Sequence, residues 1–418
     1  MNILWTVNLI PSEASQTLGI NAVVLGGWVE SMAARLKAYP DVKLAIACKT
    51  DAANQFDEEI NGIRYFSLGY NSKTSLSDLE KICSDIIDRF KPDVIQIEGT
   101  EFLHASAMLN AGNRAQIPTV VSLQGILNGQ YQYQCGQLPI DDMMFSSSLK
   151  KIYTAWILHL RKTRWFKPRM KTEREIIAKA NYIIGRTTWD RAHAYKINPK
   201  AKYFTCNRIL REPFYQKQWN QSQIEKHSLY VGNGYYALKG VQYVIEALPE
   251  LVREFPDIKL YIAGVKPFEK NDKRPFYKRG YGLYLEKLIK DLGVADYIEF
   301  TGPLKAEQVA QKLSEVNAYI LCSAIENSPN TLGEAMHIGT PCVAAYVGGV
   351  PDMAVDGEDA LFYRNDDPAL LAWQVKRIFD DEALARNLSE NGKKHAELTH
   401  HPDLNSKALY QIYKEILT

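Results

Sequence analysis

The sequence has little with which to hold a metal or a disulfide framework. Its 6 cysteines in 418 residues (Cys48, Cys83, Cys135, Cys206, Cys322 and Cys342) are scattered, with no C-x-x-C pair and no Cys/His cluster. That argues against a structural zinc site and against a disulfide-stapled scaffold. Cys48, Cys322 and Cys342 stand in apolar, strand-like runs, where a free thiol acts as a small hydrophobe. This usage fits a reducing compartment. No Asp-x-Asp triplet occurs anywhere, and no internal repeat or low-complexity tract. No apolar run approaches the ~18–20 residues of a membrane span. The N-terminal run lacks a basic start and is cut short by Pro11 and Glu13, so it reads as a first β-strand rather than a signal peptide. A charge excess is missing too: 50 Lys and Arg against 48 Asp and Glu give +2, which argues against a nucleic-acid partner. The expected location is cytoplasmic, at most peripheral on the inner face of a membrane.

What is present is a globular composition, 46% hydrophobic and 23% charged, in a length that suggests two domains. Strands are expected at 3–9, 43–48, 93–97, 119–123 and 182–185, then at 229–231, 259–263, 298–300, 318–322 and 342–345. Helices are expected between them, among them 28–36, 77–90 with Ser77 as cap and Glu80 three residues on, 241–255, 284–292, 307–316, 333–338 and 368–379. The β-α-β rhythm implies an α/β chain with parallel sheets covered by helices on both faces. It blurs between about 126 and 171. Residues 1–205 are expected to form a first doubly wound domain and 228–400 a second, with 206–227, polar and carrying Pro213, as the linker.

The most informative stretch runs from Glu326 to Asp352. It follows a strand, and in an open α/β sheet the loops at strand carboxyl ends line the ligand crevice. A Ser/Asn/Pro-rich loop leads into a helix expected to begin near Leu332. The main-chain N–H groups there, those of Asn330, Thr331 and Leu332, suit a phosphate. Glu326 and Glu334 flank the loop with seven residues between them, Glu334 expected in the first helical turn, where its charge is favoured. One carboxylate on each side of a loop suits two hydroxyl-rich groups, such as a hexose and a ribose. Either glutamate alone would more often be a cap or a solvated loop charge.

The neighbouring residues decide between these readings. Glu326, Glu334, Ala335, Met336, Gly339, Thr340, Pro341, Gly348, Gly349 and Pro351 together resemble the signature of the retaining glycosyltransferases of family 4, which have the GT-B fold. The usual Phe-Gly after the first Glu is absent, and Asp352 stands for the family's final Glu; Asp356–Gly357 matches its Asp-Gly. The resemblance implies two Rossmann-like domains facing a central cleft. It also implies a last helix, 405–417, that crosses back onto the N-terminal domain. Lys239–Gly240 sits where the family holds the donor diphosphate with a Lys, and Asn233 replaces the family's Arg, removing a bidentate cation. Arg208 could compensate. Gly26–Gly27 resembles the N-terminal Gly-rich loop near the donor. Gln124 stands where relatives carry a His toward the transferred sugar, which leaves hydrogen bonding rather than acid–base work. By the same resemblance Glu326 would hold sugar hydroxyls and Glu334 the ribose diol. No cofactor is implied, since the nucleotide-sugar is a substrate. GT-A transferases hold a divalent metal on an Asp-x-Asp triplet, so the lack of one favours the metal-free solution.

Other residues stay open between two readings. Glu98 and Glu101, after the strand at 93–97, suit either cleft contacts or solvated loop charges. His337 is expected on the helix surface or in packing, and His400–His401 as a solvated helix start. The basic, aromatic-interleaved loop 266–278 suits either a shield over the donor base or a mobile surface loop. Residues 149–171 carry Lys150, Lys151, Arg161, Lys162, Arg164, Lys167, Arg169 and Lys171 interleaved with Trp156 and Trp165. That pattern reads as a membrane-surface helix beside a lipid-linked acceptor or as a solvated helix packed on the core. The expected activity is transfer of a sugar from a nucleotide diphosphate to a glycan or lipid-linked acceptor in bacterial surface polysaccharide assembly. A nucleotide-sugar epimerase and a catalytically silent binding partner are the alternatives.

Overall fold

The computed structural model describes residues 1–20, 27–138, 162–268 and 276–418. Gly26, residues 149–161 of the basic stretch and residues 269–275 of the basic loop therefore lie outside the described residues. The chain divides into two units, the first made of Met1–Gly129, Phe166–Arg211 and His400–Thr418, the second of Gln130–Trp165 and Glu212–Thr399.

The first unit is built on an eight-stranded sheet of β1 (Asn2–Val7), β2 (Lys43–Cys48), β3 (Asp57–Ile60), β4 (Ile63–Ser67), β5 (Val94–Glu98), β6 (Thr119–Ser122), β7 (Tyr182–Gly185) and β8 (Lys202–Thr205). The order across the sheet is β3-β4-β2-β1-β5-β6-β7-β8. All pairings are parallel except β3 with β4. That exception is a hairpin turned by Asn61 (φ 49°) and Gly62 (φ 76°), two left-handed residues as a type I′ turn requires. Strands β1, β2, β5 and β6 are buried almost throughout, the continuous apolar pattern of a sheet covered on both faces. The closing helix Pro402–Leu417 belongs to this unit. Its Tyr413, fully buried, accepts a hydrogen bond from the Trp5 indole (2.8 Å) and donates one to Gln96 Oε1 (2.6 Å).

The second unit has β9 (Glu225–Val231), β10 (Lys259–Ala263), β11 (Ile298–Gly302), β12 (Val316–Leu321), β13 (Cys342–Ala345) and β14 (Leu361–Tyr363), all parallel. Their order, β11-β10-β9-β12-β13-β14, is the dinucleotide-binding arrangement, with its topological switch point between β9 and β12. Helices Val241–Glu254 and Asn330–Ile338 follow those two strands. The first is stopped before Pro256, the second by Gly339 in the left-handed conformation (φ 88°) that a helix C-terminus favours.

Two expectations need correction, and the segment between the units needs a fuller description. Helix Leu76–Phe90 is capped by Ser75, not Ser77: the Ser75 hydroxyl accepts from the Asp78 N–H (3.1 Å). Helix Asn330–Ile338 starts at Asn330 rather than near Leu332, because Pro329 takes the cap position. Glu334 is therefore its fifth residue, past the first turn, and the helix dipole does not explain it. The segment 206–227 carries ordered packing: Ile209 and Leu210 are buried in the first unit, Phe214 and Trp219 in the core of the second, and β9 already begins at Glu225. Among the described residues no helix is long and apolar enough to cross a membrane.

Candidate active site

Two loops meet at the switch point of the second unit. The first runs from Gly232 to Gly240 after β9 and ends in the tight turn Ala237–Lys239. The second, Cys322–Pro329, runs from β12 to the helix Asn330–Ile338. They bring Lys239 and Glu326, 87 residues apart, into an ion pair with Nζ 2.5 Å from Oε1. The Ser323 hydroxyl donates to the same oxygen at 2.7 Å. Both side chains are mostly covered, 23% exposed for Lys239 and 14% for Glu326. Burial works against the ammonium, but the adjacent carboxylate outweighs it, and the pKa of Lys239 is raised.

Main-chain geometry fixes the pair. Gly240 lies in the left-handed region (φ 71°), and a Cβ there would sit 1.7 Å from the Cys322 carbonyl oxygen. No other residue type lets the two loops approach so closely. The Cys322 thiol, pushed up to about 12 by burial, remains protonated and donates to the Lys239 carbonyl (3.0 Å). The Ala324 N–H donates to Leu238 (2.8 Å). From the other side, the Gly349 N–H donates to the Glu326 carbonyl (3.0 Å), and Gly348 (φ 53°) approaches it so closely that a Cβ would fall at 1.9 Å. The Gly-Gly of the sequence signature thus seats the backbone of Glu326.

The first turn of helix Asn330–Ile338 adjoins the start of the first loop. Gly232 stands so that a Cβ would lie 3.6 Å from Thr331 and from the Tyr319 hydroxyl. Asn330 and Thr331 supply the leading N–H groups of a helix whose cap, Pro329, makes no side-chain cap hydrogen bond, whereas the Leu332 N–H donates to the Pro329 carbonyl (3.1 Å). Glu334 is buried in the same helix. Asn233 uses its side-chain oxygen locally, accepting from the Tyr235 N–H (2.9 Å) and closing a turn of the loop.

The remaining sequence candidates lie in the first unit or serve packing. Glu98 ends β5, buried, with Oε1 accepting from Gln96 (2.6 Å) and Oε2 3.6 Å from Arg208. The Arg208 guanidinium lies 3.3 Å from the Trp28 ring centroid, and burial, with Arg186 nearby, lowers its pKa against the opposing pull of Glu98. Together with Arg186 these residues line a narrow cavity of about 30 Å³ at the carboxyl ends of β5 to β7. Arg186 holds the Gln124 carbonyl (3.0 Å), while Glu101 accepts from the Thr100 N–H (3.0 Å). Gly27 opens helix Gly27–Leu36 with Arg211 packed against it. His337 is buried, its Nδ1 3.2 Å from the Phe214 carbonyl and its ring edge-on to Tyr215. His400 is buried rather than solvated and donates to the Arg208 carbonyl (2.8 Å), while His401 caps the closing helix. Among the described residues no group of three or more His, Cys, Asp or Glu could hold a metal ion.

The sequence motifs did not reveal the direct contact of Lys239 with Glu326, nor the Ser323 hydroxyl. The strand order supplies the missing signal: both side chains leave the carboxyl ends of adjacent strands.

Comparison with known proteins bears on this site. Residues 212–395 match the glycosyl transferases group 1 family. The N-acetyl-alpha-D-glucosaminyl L-malate synthase of Bacillus anthracis is 29% identical over 178 residues, 43% of this chain and 42% of that protein. The chain thus spans less than half the length of this curated relative. Among solved structures, the sucrose-phosphate synthase from Thermosynechococcus elongatus superposes with a TM-score of 0.74 at 16% identity, over 100% of this chain and 99% of that one. Anabaena HepE in complex with UDP and glucose superposes with a TM-score of 0.66 at 15% identity, over 99% and 100%. Two Rossmann-like α/β units and the likeness to these solved structures give the chain the GT-B fold, and its residues 212–395 resemble the glycosyl transferases group 1 family.

Proposed function

We propose that the protein is a retaining glycosyltransferase of family 4 that moves a sugar from a nucleotide diphosphate to a glycan or lipid-linked acceptor in surface polysaccharide assembly. The observation that carries this reading is the Lys239–Glu326 pair at the β9/β12 switch point, on loops that meet the first turn of helix Asn330–Ile338. A diphosphate there meets an ammonium and main-chain N–H groups, both fixed before it arrives, and such preorganised donors stabilise charge that develops on a leaving group. Glu326 keeps the ammonium charged and aimed, and its second oxygen is placed to take a sugar hydroxyl; Glu334 takes the ribose diol. Signature residues Gly348 and Gly349 seat Glu326, which supports the Glu-x7-Glu reading.

The bond from the sugar anomeric carbon to the β-phosphate oxygen breaks, and its electron pair stays on that oxygen. The acceptor hydroxyl attacks from the same face and gives its proton to the departing phosphate oxygen, so configuration is retained and no further reactant is consumed. The charge of the diphosphate is met by Lys239 and the helix start, in a chain that lacks the Asp-x-Asp triplet of metal-dependent transferases. Gln124, Glu98 and Arg208 of the first unit remain the proposed acceptor-side contacts. The proposed setting is the cytoplasmic face of a membrane, touched through the basic stretch 149–171. The likeness to HepE crystallised with UDP and glucose supports a nucleotide-sugar donor.

The test is incubation with UDP-, GDP- and ADP-sugars, with and without candidate acceptors. Nucleotide release that requires acceptor is the expected result. A new sugar epimer, or binding without turnover, refutes it.

A further inference from the structure

Within the second unit, the segment that begins at Gln130 is seated against the turn that carries Lys239. Leu138 is buried in the core of that unit and Cys135 packs on it. Between them Gly136 (φ 61°) and Gln137 (φ 60°) form a left-handed kink. Gly136 comes so close to the turn that a Cβ would lie 2.1 Å from the Ala237 carbonyl oxygen. Its own carbonyl accepts from the Tyr243 hydroxyl (2.9 Å) and from Gln242 Nε2 (3.3 Å). Gln242 is fully buried, and its amide is oriented by the carbonyls it faces, which only accept and so require Nε2 on their side, while its Oε1 accepts from the Tyr281 hydroxyl (2.7 Å). Its Nε2 therefore bridges the Gly136 and Ala237 carbonyls, the second at 3.4 Å.

The Ala237–Lys239 turn is thus held on two sides. The loop after β12 holds Leu238 and Lys239 through Ala324 and Cys322. The Gly136 kink holds Ala237, two residues from the ammonium-bearing side chain. Core stability alone does not demand a glycine in the left-handed region, in contact with a main-chain carbonyl, at this one turn. A buried network of neutral hydrogen bonds with fixed donors specifies a position sharply, because each group left unmatched is costly.

We propose that Gly136, Gln242 and Tyr243 are positioning residues that set where the Lys239 ammonium stands. This rests on the reading of Lys239 as the diphosphate-facing cation.

The test compares Gly136→Ala, Tyr243→Phe and Lys239→Ala, singly and with each of the first two added to Lys239→Ala, using whichever UDP-, GDP- or ADP-sugar the parent turns over. A misplacement of order 1 Å can cost roughly 100-fold, so Gly136→Ala is expected to lower kcat by about 10- to 100-fold. Donor KM should move less than about threefold, because most of the site is untouched. In the Lys239→Ala background the same substitution should cost nothing more, since there is no ammonium left to place. Should Gly136→Ala fail to fold, Tyr243→Phe carries the test with the same pattern and a smaller loss. Unchanged kcat in the folded variants, a rise in KM alone, or an equal loss with and without Lys239 overturns the positioning role. Near-parental turnover by Lys239→Ala overturns it together with the assignment of the diphosphate site, which separates the two failures.

Discussion

Replacing Lys239 by Ala removes the ion-pair partner of Glu326 and, on the proposed reading, the cation that meets the leaving diphosphate. Two effects then need separating. The first is on the resting protein: Glu326, 14% exposed, keeps the Ser323 hydroxyl at 2.7 Å but loses its ion-pair partner. Stripping one member from a buried pair costs about 3–5 kcal/mol, and less where water reaches the survivor, as it does here. The second is on the reaction: loss of one preorganised charge-stabilising donor costs about 2.7–4 kcal/mol, roughly 100- to 1,000-fold in kcat. Adding Glu326→Ala to Lys239→Ala removes the stranded carboxylate, so Tm should recover while turnover stays low. The assay is initial rates of nucleotide release across donor concentrations, with Tm measured on the same samples. Arg208 serves as the control cation. It is engaged by Glu98 and Trp28 within the first unit, so Arg208→Ala should act independently and multiply with the Lys239→Ala loss. Turnover by Lys239→Ala within a few-fold of the parent refutes the reasoning.

Three further outcomes are expected. Glu334→Ala should weaken nucleotide binding and Glu326→Ala chiefly turnover, each by roughly tenfold or more, as for a lost charge-assisted hydrogen bond; calorimetry and kinetics on the two variants check this, and unchanged values for both remove the assignment. Fully buried His104, held by the Tyr70 hydroxyl at 2.8 Å, has its pKa lowered from 6.5 to about 3 by burial and by Lys49. The unfolded chain takes up that proton near pH 6.5 and the folded one only near 3, so stability present above about pH 6.5 drains away toward pH 3, by up to about 1.4 kcal/mol per pH unit. Tm should therefore fall less steeply with pH in His104→Gln than in the parent; parallel curves refute this. Tyr413→Phe leaves the buried Trp5 N–H and Gln96 Oε1 without their shared hydroxyl, at about 1–3 kcal/mol for each group, which should lower the Tm by several degrees while kcat per folded molecule stays unchanged.

Strand positions were legible where burial on both faces leaves an unbroken apolar run. Lys43–Cys48, Tyr182–Gly185, Lys259–Ala263 and Cys342–Ala345 stand where the pattern places them. The pattern fails on Asp57–Ile60, an acidic strand at the sheet edge, although Asn61–Gly62 is a strong hairpin signal. It also fails on Leu361–Tyr363, too short at three residues to show any period. The helix holding Glu334 was placed late because Pro329, rather than a side-chain cap, starts it. Of the site, the residue types were readable and the pairing was not, since Lys239 and Glu326 meet only through the strand order. Gly136 had no sequence signal at all: a glycine in an irregular stretch looks like any other turn.

The closing helix Pro402–Leu417 has a consequence for how the protein is made. The first unit's sheet leaves the ribosome early, but the side chain that covers its Trp5 and Gln96 belongs to residue 413. Between Arg211 and His400 the larger segment of the second unit, Glu212–Thr399, is translated. At about 5–20 residues per second that interval lasts roughly 10–40 s. Through it the nascent first unit carries an uncovered, largely apolar face beside a sheet that is already paired, which makes it a natural client for a chaperone. The second unit has all its strands in one continuous stretch and can complete itself first. Completion of the first unit therefore waits for the last residues of the chain to be synthesised.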